Sequence, residues 1–186
     1  MKHFKRPGLK KKLGCLVVRR RATTPAGVHL GRVQAGGVVI PAALGVNGIR
    51  FSKREGDGMT PAGTFELDQG FFRQDRFPAA EARHLRPLSP RQGWCDDPRS
   101  QQYNRPVPAG FKKSHERLWR DDNVYDVVIP TSHNQRPRIL GRGSAIFLHL
   151  ARPGFAGTQG CIAISRDDMR RLLPRLAKKV RLIIKP

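Results

Sequence analysis

Apolar residues along this chain come in short runs cut apart by glycine and proline: Leu13 to Val18 around Gly14, pieces of residues 28–51, Val124–Ile129, Ala145–Leu148, Cys161–Ile164 and Val180–Ile184. Each run is too short for a helix and suits a buried or half-buried strand. In residues 28–51, where Val28–Val33 and Val38–Ile40 alternate with glycines, the pattern predicts a β-meander. Leu13–Val18 predicts a first strand with Cys15 in the core, and Val180–Ile184 a last one. One stretch has a helical period instead. Ser165 reads as an N-cap with Asp168 three residues on, and Met169, Leu172, Leu173 and Leu176 fall on one face, with Pro174 shortening or kinking the helix. Phe71 to Asn104 is predicted irregular, broken by Pro78, Pro87, Pro90 and Pro98, with Trp94 packing a loop turn. The fold class is therefore mainly β, a mixed sheet or β-sandwich with one or two short helices. At 186 residues and 38% hydrophobic, the chain is expected to form one domain over 1–186 that buries its own core. It holds no internal repeat, and no run approaches the length of a membrane span.

Charge changes the picture. Lys and Arg number 36 against 14 Asp and Glu, a formal +22, and residues 1–54 hold thirteen basic side chains and no acid. Such a balance implies a polyanionic partner. Yet there is no zinc-finger spacing, RNA-binding aromatic signature or helix-turn-helix pattern, and arginines are scattered through every segment. An acidic polymer such as cell wall accounts for the charge as well as nucleic acid does, and nucleic acid is not expected. The basic stretch Lys2–Lys12 followed by Leu13–Val18 resembles a targeting sequence, but Arg19–Arg21 cut the apolar run too short for a secretory h-region.

Three cysteines, Cys15, Cys95 and Cys161, stand far apart, and an odd count leaves at least one thiol free. No paired Cys or Cys/His spacing supports a zinc or disulfide framework, so no metal and no cofactor is expected.

The chemistry concentrates in Ser144–Ser165. Two strand-like runs flank a loop containing Pro153, Gly154, Gly157 and Gly160, and a strand-loop-strand of this kind can bring His149 and Cys161 together. A thiol beside an imidazole can lose its proton and attack a carbonyl. Gly160 would let the backbone turn sharply, aiming N–H groups around Gly160 and Cys161 at one point where an oxyanion could form. By residue type alone, Cys161 also fits a small buried hydrophobe and His149 a structural histidine.

The segment resembles the active-site signature of the L,D-transpeptidase (YkuD-like) family: a histidine after a strand, a glycine-containing loop, then Ser/Thr-His-Gly-Cys and a hydrophobic residue. His149, Gly154, Thr158, Gly160, Cys161 and Ile162 match, whereas Gln159 replaces the usual second histidine and Ala163 an arginine or asparagine. A second stretch, Gly58-Met59-Thr60-Pro61-Ala62-Gly63, resembles the family's Thr-Pro-x-Gly segment. That segment is expected to support the sheet carrying the site.

The resemblance implies two-step acyl transfer on peptidoglycan stem peptides. Cys161 is the nucleophile, His149 its base, and backbone N–H groups of Gln159, Gly160 and Cys161 hold the oxyanion. It also implies a location in the periplasm or cell envelope, a monomer, and inhibition by carbapenem β-lactams. Candidate substrate contacts are Thr158, Arg142 near the histidine, and His115 and Trp119 lining a groove, with Arg117 or Arg120 pairing a substrate carboxylate. Alternatives are a carboxypeptidase or amidase on muropeptides, or a non-catalytic basic module binding cell wall or nucleic acid.

Overall fold

The structure is a computed structural model describing residues 12–23, 29–108 and 110–186. The basic stretch from Lys2 to Lys11, and Val28 in the predicted meander, lie outside the described residues. In chain order the strands are β1 (Leu13–Thr23), β2 (His29–Ala35), β3 (Val38–Ala43), β4 (Ile49–Arg50), β5 (Thr60–Pro61), β6 (Gly63–Glu66), β7 (Phe71–Phe72) and β8 (Arg86–Pro87). They continue as β9 (Gln92–Cys95), β10 (Pro106–Pro108), β11 (His115–Arg117), β12 (Val127–Pro130), β13 (Phe147–Leu150), β14 (Ile162–Ile164) and β15 (Leu176–Lys185), with one α-helix among the described residues, α1 (Arg166–Leu172).

Ten of these strands form one mixed sheet in the order β6-β15-β1-β2-β3-β14-β13-β12-β7-β8. The β1-β2-β3 meander is antiparallel, while β1 runs parallel to β15 and β13 parallel to β14. The sheet curls until the chain leaving β6 meets the end of β12: Leu67 bridges Thr131, Asp68 N–H donates to Pro130 O at 2.8 Å, and Ser132 N–H to Glu66 O at 2.8 Å.

Strand alternation then divides the side chains between two faces. The inner face carries Leu16, Val18, Val33, Leu148, Ile162 and Ile164, all fully buried in the larger hydrophobic cluster. Helix α1 closes that cluster with Met169 and Leu172. Ser165 caps it as the sequence predicts, its Oγ accepting from Asp168 N–H at 3.1 Å, with Asp167 and Asp168 in the first turn and Arg170 and Arg171 in the last. A 3-10 turn over Leu173–Arg175 with Pro174 inside it ends the helix, and β15 starts at Leu176, earlier than the apolar run suggests.

The outer face is only partly covered. A three-stranded sheet, β10-β9-β11, lies over β12 and β13, and Trp94, Leu118 and Tyr125 pack there with Phe147, Val128 and Cys161. Trp94 and Tyr125 meet the Phe147 ring edge-on, at centroid distances of 5.3 and 5.8 Å. Trp94 thus sits buried on a strand, not in the loop turn that the prolines of Phe71–Asn104 suggest. Two further corrections come from β1. The strand continues through Arg19–Arg21, with a shift of register against β2 between Arg20 and Ala22, since exposed arginines do not end a strand. Cys15, expected in the core, is half-buried, because it alternates with Leu16 and so points outward.

Candidate active site

His149 lies on β13 and Cys161 immediately before β14. The parallel register pairs His149 with Ala163 and Leu148 with Ile162. Cys161, two residues before Ala163, therefore shares the outer face with His149, one diagonal step away on the neighbouring strand. Both are buried, at 7% and 5% exposure, and both line one pocket of about 350 Å³ under the edge of the small sheet.

The turn into Cys161 is dictated by contacts that tolerate no side chain. Gly160 has φ +132°, and a Cβ there would stand 2.6 Å from the Met59 carbonyl oxygen. Gly45, hydrogen-bonded through its N–H to Thr60 Oγ1 at 2.8 Å, bridges Thr158, and a Cβ on Gly45 would come within 2.4 Å of Gly58 O. The Gly58–Thr60 stretch thus braces the loop that carries the cysteine. Thr158 pins the same loop: its Oγ1 donates to Cys161 O at 2.7 Å and accepts from Gly160 N–H at 3.1 Å, while its backbone exchanges hydrogen bonds with Leu44 and Val46 at 2.9 Å each.

The thiol donates to Ala145 O at 3.1 Å and accepts from Phe147 N–H at 3.3 Å, so its hydrogen bonds run to the backbone rather than to the imidazole. Ala145 sits at φ +52°, and its own N–H donates to Asn104 Oδ1, which also accepts from Trp94 Nε1–H. His149 Nδ1 is 2.9 Å from Leu150 O. A carbonyl only accepts, so Nδ1 carries the proton and Nε2 holds a free lone pair. The Tyr125 ring stands edge-on to the imidazole at 5.2 Å and its hydroxyl donates to Glu116 Oε1 at 2.6 Å.

Electrostatics keep this pair uncharged. Burial lowers the His149 pKa to about 4, helped by the positive charges of Arg152 and Arg120 and opposed by the hydrogen bond to Leu150. Burial raises the Cys161 thiol to about 12, and the nearby Glu116 charge adds to it, against the Phe147 N–H. Burial thus disfavours the thiolate that transfer of the proton to His149 would create. An imidazole with a free lone pair and a thiol thus line the same pocket. Glu116 itself is raised by burial, partly offset by the Tyr125 hydroxyl.

The other residues singled out from the sequence divide. Gln159, exposed, and Thr158 line the pocket. His115 and Trp119 do not: they line a separate depression with Phe111 and Arg117. Along β11 and the residues just after it, Glu116, Leu118 and Arg120 point the other way, and it is Glu116 and Arg120 that reach the pocket. Arg142 is exposed outside it, its carbonyl 3.1 Å from His133 Nε2. Residues that the sequence reading missed are Glu116, Tyr125, Ala145 and Arg152. Only the alternation around Leu118 could have pointed to Glu116. Arg120 and Arg152 converge on Asp122, the former through two hydrogen bonds at 2.9 and 2.6 Å, the latter at 3.3 Å. Among the described residues no group of three or more His, Cys, Asp or Glu side chains is arranged to hold a metal ion.

Comparison with known proteins finds one family. The YkuD model, the L,D-transpeptidase catalytic domain, matches residues 19–184. No curated protein matches the chain. Among solved structures, the helical cell shape determining protein Pgp2 from Campylobacter jejuni is similar at 16% identity and a TM-score of 0.41, over 96% of this chain and 52% of that one. L,D-transpeptidase 1 from Mycobacterium tuberculosis is similar at 14% identity and a TM-score of 0.33, over 91% of this chain and 61% of that one. The chain spans about half the length of Pgp2 and three fifths of the mycobacterial enzyme. With the family model running from β1 into β15, across both strands of the candidate site, the chain belongs to the YkuD family of L,D-transpeptidase catalytic domains.

Proposed function

We propose that this protein is a cysteine acyltransferase that cross-links peptidoglycan stem peptides through a thioester on Cys161. The observation that carries the reading is the placement of His149 and Cys161 on one face of adjacent parallel strands, in one pocket, with the His149 tautomer fixed by Leu150. As sulfur attacks the donor peptide carbonyl, its proton passes to His149 Nε2. The tetrahedral oxyanion is held by backbone N–H groups. The Gly160 N–H is already donated to Thr158 Oγ1, which leaves the amides of Gln159 and Cys161 for that role. Collapse expels the leaving amine, which takes the proton from the imidazolium and leaves a thioester. An acceptor amine on a second stem then attacks that thioester, gives its proton to His149 and is acylated, and the departing sulfur recovers a proton from the imidazolium.

The neutral resting pair supports this order of events. With burial pushing the thiol up to about 12 and the imidazole down to about 4, proton exchange between them is disfavoured before attack, and the proposed nucleophile is unmasked as it meets a carbonyl. Arg120 and Arg152 at the pocket wall suit a stem-peptide carboxylate, with Asp122 holding both in place. The reading places the protein's work in the cell envelope, where that polymer lies. Among the described residues no helix is long and apolar enough to cross a membrane.

Incubation with purified muropeptides tests the proposal. Cross-linked dimers support transfer, trimmed monomers support hydrolysis by water instead, and no product from a folded protein removes the reading. A carbapenem should add its whole mass to the wild-type chain at Cys161 as its lactam ring opens, and should leave Cys161→Ala unmodified.

A further inference from the structure

The outer face that holds the site has a second, uncovered half. On β15, β1 and β2 the register places Lys185 opposite Arg19 and Arg19 opposite Arg32, so three cations stand in a row across neighbouring strands, and all three are exposed. Like charges directly opposite one another destabilise a sheet. Nothing nearby relieves them in sequence, since residues 13–43 contain no Asp or Glu. Arg21 joins the row, bordering with Arg32 a shallow depression floored by Gly31, Val39 and Pro41. Among the described residues none of these four cations is in an ion pair, whereas Arg73, Arg120, Arg166 and Arg170 are each bound to a carboxylate.

This row shares its sheet face with the site. His149 pairs with Ala163, Ala163 with Ala43 and Ala43 with Leu30, and Arg32 lies two residues along β2 from Leu30, on the same face. From β13 to β1 is four strand-to-strand steps, about 19 Å at roughly 4.8 Å per step. That is a span of roughly six residues of extended chain.

We infer that Arg19, Arg21, Arg32 and Lys185 form a docking surface for a polymer carrying carboxylates at regular intervals, and that it holds one part of the polymer while another enters the pocket. The identification of that polymer as peptidoglycan rests on the function proposed above. Arginine forks match carboxylates, and an exposed row of them draws an anionic chain along the face toward the cysteine. The neighbouring outward positions Val17, Gln34, Val39 and Pro41 offer no aromatic ring on which bases could stack, which favours a carboxylate polymer over single-stranded nucleic acid.

Pelleting with insoluble peptidoglycan tests this, with every protein carrying Cys161→Ala so that chemistry plays no part. Arg19→Gln/Arg32→Gln/Lys185→Gln should lower the bound fraction's apparent affinity at least roughly tenfold at low salt. Arg19→Lys/Arg32→Lys should keep it, which separates lost charge from damaged folding. Capping the polymer's carboxylates as neutral amides should weaken binding of the unsubstituted surface to the same extent. With Cys161 present, the triple Gln variant should turn over small soluble muropeptides as the wild type does. The inference is overturned if the triple variant pellets normally, if capped polymer binds as well as native, or if the triple variant loses only duplex DNA binding. A wild type that makes no muropeptide product while the pelleting pattern holds would remove the proposed chemistry and leave the docking surface standing.

Discussion

Two halves of one sheet face carry opposite electrostatic arrangements. Over β13 and β14 the face is roofed by the small sheet, and Glu55, Asp96 and Glu116 line the pocket beside Arg120 and Arg152. Over β1, β2 and β15 it is open, cationic and free of carboxylates among its own strands. A net charge of +22 therefore does not describe the surroundings of the candidate nucleophile. The proposed chemistry calls for a balanced, dehydrated cavity where a thiol stays protonated, while long-range attraction calls for unpaired charge in water. In the proposed acyl transfer, separating the two along one sheet would let the inferred docking surface act without creating a standing thiolate.

The largest effect expected is from Cys161→Ser. It keeps the size of the side chain and its bonds to Ala145 and Phe147, but replaces sulfur by a far poorer nucleophile. Muropeptide turnover should fall by roughly 10³-fold or more, with the unfolding midpoint almost unchanged. Turnover near wild type would place the chemistry elsewhere in the pocket. His149→Gln comes next, with a loss of roughly 10²- to 10⁴-fold. It also has a signature in stability. The folded imidazole, pushed from its usual 6.5 to about 4, resists protonation that the unfolded chain accepts, so the unfolded state binds more protons across that window. Wild-type stability should be complete above about pH 6.5 and fall as the pH drops toward 4, by on the order of 3 kcal/mol, and the Gln variant should lose that slope in pH-dependent denaturant titrations. For the same reason the acid limb of the wild-type activity profile should lie near pH 4 rather than 6.5.

The difference between the two halves also explains what could be read from the chain beforehand. The meander, the N-cap at Ser165 and the strand pair around His149 and Cys161 follow from period-2 and period-3.6 patterns that local sequence contains. The substrate contacts depend on phase. His115 and Trp119 attract notice by residue type, yet along β11 and the residues just after it the inward positions are those in step with Leu118, namely Glu116 and Arg120, and a one-residue shift exchanges the faces. Arg142 is near His149 in sequence but leaves the pocket because the chain turns at Gly143, φ +94°, and Ala145 before entering β13. Arg19–Arg21 read as an end to an apolar run, whereas only the cross-strand register shows that they continue β1 and that Arg19 aligns with Arg32 and Lys185.

A third test loosens the brace under the roofed half. Gly160→Ala puts a Cβ 2.6 Å from Met59 O at a φ of +132°, and both the clash and the backbone strain push the loop off the Gly58–Thr60 segment. A loss of roughly 1–3 kcal/mol in stability is expected, with kcat falling more than KM rises, because the displaced loop carries both the nucleophile and the amides proposed for the oxyanion. A pure KM effect would assign Gly160 to substrate binding instead.

The smallest expected effect is the most specific to the electrostatic contrast. Glu116 stands between the two behaviours: it lies in the roofed half, and its charge is the second cause, after burial, of the raised Cys161 pKa. Glu116→Gln keeps an acceptor for the Tyr125 hydroxyl and removes the charge. The thiol should then titrate below about 12, toward its usual 9, since a negative neighbour that disfavoured the thiolate is gone. The pH at which iodoacetamide labels the Cys161 peptide, followed by mass spectrometry, should move down by about half a unit to one unit, while labelling of the Cys15 peptide stays where it was. If the Cys161 midpoint does not move, burial alone sets the thiol, and the carboxylates around the pocket serve its shape rather than its charge state.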